Sequence, residues 1–353
     1  YISHELGDYL RSLYNTLKAN FKDVKIIPGD SAHFLASNTE GIITLDYNRI
    51  EASRKQKNIH TDFVRPYYLF AVLSMDRICY INEIVTNSDA IEHKIFTINK
   101  DFHPISYYFD MVLWTSYQSN KLARFIRKIN KDLIIKVFWI FLMVLLIFAF
   151  MTRKMTRYKH VATVFALGTT GFSEMTFQIL IILGFQTIYG YLYYKIGIIF
   201  TAFMVGLALG TFCTMRLIDK VKRFYRMYIN IQLAVLAYPL FLMALFYLMS
   251  KGYGPFYNIG SNIIFSCLPF IAGFIGGMQF PIANKIYLSG TDGVIRSAGI
   301  TYAADLAGSC IGALMVSAFI IPLIGIYGTC IGVTLLNLVA LAALLLGARK
   351  NNV

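Results

Sequence analysis

The sequence predicts a mainly α-helical, multi-pass transmembrane bundle, preceded by the tail end of an α/β domain. Three observations point there. Hydrophobic residues make up 57% of the 353 and charged residues only 15%, against roughly 25% charged in an ordinary soluble domain. Apolar runs of 18 or more residues recur from residue 133 onward, each able to cross a hydrocarbon core of about 30 Å. The first 37 residues read as one helix feeding two short strands.

Residues 1–132 come first. Leu6, Tyr9, Leu10, Leu13, Leu17 and Phe21 form one stripe at helical spacing, which predicts an amphipathic helix. "DVKIIPG" and "SAHFLAS" follow, parted by Pro28, Gly29 and Asp30, a strand–turn–strand signal. Two strands bury little by themselves, so this is the end of an α/β layer rather than a whole one. Residues 38–132 are mixed and aromatic-rich, with short helices expected in "TDFVRPYYLFAVLSMDRICYINEIV" and after "INKDFHPISYY". "KLARFIRKINKD" is a basic lead-in to the first apolar run.

Residues 133–353 hold seven expected spans: 133–151, 161–190, 194–215, 228–249, 260–284, 297–325 and 327–347. The pairs Gly206/Gly210 and Gly308/Gly312 have the small-residue spacing that lets helices approach closely in a membrane. Positive charge is concentrated in alternate loops, "TRKMTRYKH" and "RLIDKVKRFYR" being the richest. The rule that such loops stay inside gives segments two to seven both ends, and so the C-terminus, on the cytoplasmic side. The first segment is basic on both flanks and is not oriented by that rule. The expected setting is an integral protein of a bacterial-type inner (plasma) membrane, with the lipid bilayer as its first partner.

Charge excludes one class. Residues 1–132 hold 17 Lys/Arg against 15 Asp/Glu, while residues 133–353 hold 16 against 4. The excess lies in short loops between apolar runs, where membrane topology explains it and a nucleic-acid surface does not. Cys79, Cys213, Cys267, Cys310 and Cys330 form no CxxC pair, and four of them lie in apolar runs. Neither a disulfide framework nor a metal site is expected.

Polar groups inside the spans are the first candidates for function. Glu174 lies near the centre of its run, with Gln178 one turn on, on the same face. Asp305 lies nearer one end of its run, with Tyr302 before it and Ser309 after it. Gln186, Gln279 and Pro281 also interrupt apolar stretches. An acid at mid-bilayer costs about 2.5–3.5 kcal/mol on insertion scales, so it faces the bundle interior or an aqueous cavity. Two roles compete: a path for a cation, such as a polyamine or a proton, or hydrogen-bonded acids that fix helix contacts. The Gly308/Gly312 face beside Asp305 favours the packing role there.

Several stretches resemble the membrane-bound, multi-pass spermidine synthase-like proteins, in the polyamine aminopropyltransferase family. "YISHELGDYLRSLYNTLKANFKDVKIIPGDSAHFLAS" is similar to the last helix and closing strands of their Rossmann-like, methyltransferase-type domain. "INKDFHPISYY" resembles an "NTD-x-x-P…Y" element: Asn99, Asp101, Pro104, Tyr107 and Tyr108 match, and Lys100 replaces the usual threonine. "TGFSEMTFQILIILGFQTIYGYLY…AFMVGLALG" and "YAADLAGSCIGALMVSAFIIPLIG" resemble the membrane region, whose helices are transporter-like.

The resemblance implies aminopropyl transfer, in which an amine attacks the carbon beside the sulfonium of decarboxylated S-adenosylmethionine. Asn99, Asp101, Tyr107 and Tyr108 would line the substrate pocket. The competing role for Asn99 and Asp101 is to cap a turn before His103-Pro104. No G-x-G-x-x-G-like loop follows a strand in residues 1–132. The nucleotide loop and catalytic aspartate are therefore expected upstream of this sequence, and no catalytic residue is assigned within it. A transporter or scaffold with a degenerate α/β domain is the main alternative. A methyltransferase-like enzyme acting on a lipid is the third.

Overall fold

In the computed structural model, residues 2–29, 31–62, 65–86, 98–152, 158–190, 193–218, 220, 223–251, 263–288 and 294–349 are described. The chain divides into two compact units, Tyr1–Asn130 and Lys131–Val353.

The first unit opens with α1 (His4–Asn20), whose N-terminus is capped by Ser3 Oγ accepting from the Leu6 amide at 3.2 Å. Leu10 is at the centre of its buried face and meets Ile26, Ile81 and Val85. The buried side is shifted from the apolar stripe: Gly7, Arg11 and Ser12 are also covered, whereas Leu13 and Leu17 are half-buried. Arg11 tolerates this because its guanidinium reaches the Ile84 carbonyl at 2.7 Å and Asp8 at 3.0 Å.

β1 (Asp23–Ile27) and β2 (His33–Ser37) pair antiparallel, from Asp23 opposite Ser37 to Ile27 opposite His33. Among the described residues this is the only sheet. Five further helices follow among the described residues: α2 (Tyr47–Gln56), α3 (Pro66–Val72), α4 (Met75–Thr86), α5 (Ser106–Gln118) and α6 (Asn120–Arg127).

The second unit is helical among its described residues, and six of its helical runs are long and apolar enough to cross a membrane. They begin with α7 (Lys131–Thr152), α8 (Tyr158–Tyr189), α9 (Tyr193–Leu217), α10 (Phe224–Ser250) and α11 (Phe265–Leu288). The sixth joins α12 (Val294–Met315), a π-helical turn (Val316–Ile320) and α13 (Ile321–Arg349). The sequence predicts seven separate spans. The structure has six runs because the expected sixth and seventh are continuous over Ala298–Ala348. At 1.5 Å per residue such a run would extend about 75 Å, over twice a bilayer core. It does not, because Gly325 adopts φ 84°, ψ 170°, and the helix breaks there. Glycine alone accepts that conformation without strain. Residues 153–157, 219, 221–222, 252–262 and 289–293, which fall in or beside the loops expected between spans, lie outside the described residues.

Side-chain registers fix helix directions. On α8 and α10, Thr163 meets Tyr228, Thr170 meets Gln232 and Gly184 meets Phe246, so the two run parallel. Between α10 and α11, Gln232 meets Gln279 and Tyr238 meets Leu268, so they are antiparallel. Along α8 and α13, Tyr158 reaches Ala343 and Ser173 reaches Asn337, again antiparallel. These directions alternate as successive crossings should, once the break at Gly325 is counted as a reversal.

Two glycine seams hold parallel pairs together. On α9 and α11, Gly206 faces the Phe270 carbonyl and Gly210 that of Phe274, while Gly273 faces the Phe203 carbonyl and Gly277 that of Leu207. Each helix thus lays its glycines on the other's backbone. On α8 and α12, Gly308 meets the Gly168 carbonyl and Gly312 that of Phe172. Both small-residue pairs singled out in the sequence are therefore packing faces.

Candidate functional site

α8 is the hub of the second unit, packing against α10, α11, α12 and α13. Midway along it lies a layer of buried polar side chains. Asn337 on α13 donates to Ser173 Oγ at 2.7 Å and to the Val333 carbonyl at 2.9 Å. Its amide oxygen accepts from Gln232 Nε2 of α10 at 2.9 Å. Gln232 Oε1 accepts in turn from Gln279 Nε2 of α11 at 2.7 Å, and Thr170 lies 3.4 Å away. Gln232, Gln279, Asn337 and Ser173 are all fully buried. Four helices thus share one hydrogen-bonded chain at mid-height, each link contributing about 0.6 kcal/mol by the average for such bonds in membranes.

Glu174 is the next residue along α8. It is 8% exposed, and its carboxylate lies against the backbone of Gly276 on α11, where any Cβ would overlap Oε1 and Cδ. The absence of a side chain at 276 makes the space for this acid. Asp305 on α12 is half-buried and lies one turn away, against Gly171 of α8. A Cβ at Gly171 would be 2.6 Å from Asp305 Oδ1 and 2.9 Å from Ser309 Oγ. The two acids are therefore brought together along one stretch of α8. Neither has a basic partner: the ion pairs among the described residues all lie in the first unit.

Gln178, the third intramembrane candidate, is one turn beyond Glu174. It is 4% exposed, and its Nε2 has no hydrogen-bond partner. Gln186 and Tyr302 are not part of this cluster; Tyr302 is 55% exposed and its ring meets Phe280.

The first-unit candidates lie around α5. Asn99 Oδ1 accepts from the Ser106 backbone N–H at 3.1 Å, and the Asn99 backbone N–H donates to Thr16 Oγ1 at 2.8 Å. Asn99 therefore satisfies the first free N–H of α5 and ties it to α1. Lys100 and His103 exchange backbone hydrogen bonds of 3.1 and 2.9 Å, forming a tight turn with exposed Asp101 at its tip. Tyr107 is 53% exposed. Tyr108 is buried, and its hydroxyl donates to the carbonyls of Ile126 and Ile129 at 2.9 and 2.8 Å. Burial pushes that hydroxyl's pKa upward. Tyr107 and Tyr108 are thus separated, one toward solvent and one closing the end of α6.

Asn337 and Gln232 are the site residues that sequence reasoning missed. A lone amide in an apolar run, as in "TLLNLVAL" or "NIQLAV", is a signal of a buried partner, but it does not say which helix supplies it. Comparison of the chain with protein-family models, with curated proteins and with solved structures gives no match.

Proposed function

We propose that residues 131–353 are the bilayer-embedded part of an integral membrane protein and bind a cation, a proton or a polyamine amine, at Glu174 and Asp305. The observation that carries this is a pair of carboxylates a helical turn apart, one of them buried at mid-height, with no basic side chain paired to them among the described residues. A carboxylate buried in the hydrocarbon layer is costly unless a positive charge or proton compensates it. Moving that compensating charge is the chemistry such a site can perform. Glu174 is the principal binder because it is the more buried, and Asp305 supports it from the glycine seam. By loop charge, the C-terminus faces the cytoplasm of a bacterial-type inner membrane. A cysteine introduced at Ser119 and labelled from either side would test the placement of the first unit.

The test of function is flux in proteoliposomes, for protons and for a radiolabelled polyamine separately. Glu174→Gln is expected to cut the transported cation's flux at least tenfold and Asp305→Asn to cut it less. Unchanged flux in both variants would remove the acids from any transport role.

A second reading has its own support. Helix α1 followed directly by the β1–β2 hairpin is the element order implied by resemblance to the spermidine synthase-like proteins. On that reading the parent protein transfers an aminopropyl group from decarboxylated S-adenosylmethionine, and Asp101 with Asn99, Tyr107 and Tyr108 borders the polyamine pocket. The nucleotide loop this needs is not found in residues 1–132. An aminopropyl-transfer assay of the full-length protein, with Asp101→Ala, would decide it. No turnover, or unchanged turnover in Asp101→Ala, would count against the respective claims.

A further inference from the structure

Helix α6 presents two kinds of exposed side chain. Leu122 is 50% and Phe125 64% exposed, while Ala123 and Ile126 are buried within the first unit. Lys121, Arg124 and Lys128 are exposed among them. Met111 to Lys131 contains five Lys/Arg and no Asp/Glu. Of these, Arg127 is drawn toward Asp8 at 3.5 Å, and Arg124 Nε donates to its own helix at the Asn120 carbonyl, 3.2 Å away. Lys121 and Lys128 have no acidic partner among the described residues. On α5, which packs against α6, Trp114 and Tyr117 are 64% and 68% exposed, with ring centroids 5.7 Å apart.

Position along the chain gives this surface its meaning. Only residues 128–130 separate α6 from α7, which is long and apolar enough to span. Three residues reach about 10 Å when extended, so any bilayer that holds α7 has its headgroup layer within reach of α6. Aromatic rings and leucine beside lysine and arginine are the mixture that an interfacial helix uses: the apolar part enters the acyl boundary and the cations meet phosphate. A nucleic acid would satisfy the cations but leave Leu122 and Phe125 in water.

We propose that α6 is an interfacial helix binding the anionic phospholipid headgroups of the bilayer that α7 enters. Leu122 and Phe125 insert at the acyl boundary, and Lys121, Arg124 and Lys128 engage lipid phosphates. This rests on α7 lying in the membrane, and the test separates the two claims.

The full chain is placed in nanodiscs of phosphatidylcholine alone or mixed with phosphatidylglycerol, with acyl chains brominated near the headgroup. The sequence has two tryptophans, Trp114 and Trp139. One variant combines Trp114→Phe, Trp139→Phe and Phe125→Trp, leaving one fluorophore on α6; another carries Trp114→Phe alone and reports α7 through Trp139. The α6 fluorophore is expected to be quenched at least twice as strongly in the anionic discs. Adding Lys121→Gln, Arg124→Gln and Lys128→Gln should abolish that preference, each charge being worth about fivefold in lipid affinity. Should the triple variant not fold, 0.5 M salt on the unaltered charges provides the same test by screening. Quenching that is absent, equal in both lipids or unmoved by charge and salt overturns the proposal while Trp139 remains quenched. An unquenched Trp139 overturns the membrane placement of α7 and the proposal with it.

Discussion

Gly210→Ala on α9 should destabilise the second unit, whereas Gly197→Ala on the same helix should not. A Cβ at Gly210 would lie 3.0 Å from both the carbonyl carbon and the Cα of Phe274. Carbon atoms pack at about 3.5–4.0 Å, so α9 and α11 must part by roughly 0.5–1 Å, and the seam loses a quarter to a half of its dispersion energy. Overpacking of this kind costs about 1–3 kcal/mol. At Gly197 nothing lies within 4 Å; only the helix preference for alanine acts there, about 1 kcal/mol in the stabilising direction. Gly277→Ala does to Leu207 what Gly210→Ala does to Phe274, its Cβ lying 3.0 Å from the Leu207 Cα. Once one methyl has opened the seam the other enters more easily. The double variant should therefore cost less than the sum by about 0.5–2 kcal/mol, as neighbouring sites do. Unfolding in mixed micelles, followed by far-UV circular dichroism, measures the four variants against the unaltered chain. Equal stability of Gly210→Ala and Gly197→Ala, or strict additivity in the double, would refute a backbone-to-backbone seam.

Three further outcomes are expected. Asn337→Leu leaves Gln232 Nε2 and Ser173 Oγ without their partner, and should cost about 1–3 kcal/mol in the same assay; a neutral result would mean that the polar layer repairs itself. Tyr108→Phe removes one hydroxyl shared by two carbonyls and should cost about 1 kcal/mol, read as faster proteolysis near Ile126. For Asp8, burial pushes the carboxyl above its usual 3.8, against the pull of Arg127 and Arg11. The folded protein then holds this proton more tightly than the unfolded one. Its contribution to stability is full below pH 3.8 and is lost as pH rises through the folded value. Asp8→Asn should flatten that part of the stability-versus-pH curve, and an unaltered curve would contradict the shift.

Much of the architecture was legible because membranes impose length and apolarity on a helix. The runs that became α7 to α11 stood out for that reason, and the spacings Gly206/Gly210 and Gly308/Gly312 pointed to close contact. The α1–β1–β2 order was readable from one periodic stripe and from Pro28-Gly29. Partners were not readable. Gly276 looks like its neighbours Gly273 and Gly277 in "GFIGG", yet those two face backbone and Gly276 faces the Glu174 carboxylate. The break at Gly325, by contrast, falls where the expected spans 297–325 and 327–347 part, although no charged loop marks it; the backbone angles there show it. For Asn99 one residue type admits both a pocket and a cap, and the sequence did not show its contacts with Ser106 and Thr16.

The central polar layer also sets a schedule for assembly. Ser173 and Asn337 are 164 residues apart, and synthesis runs at about 5–20 residues per second. Ser173 therefore waits roughly 8–33 s for its partner. Gln232 and then Gln279 are added within that interval, still without the amide that completes their chain. A ribosome that stalled before residue 337 would leave Gln232 Nε2 and Ser173 Oγ without the amide they meet in the finished chain.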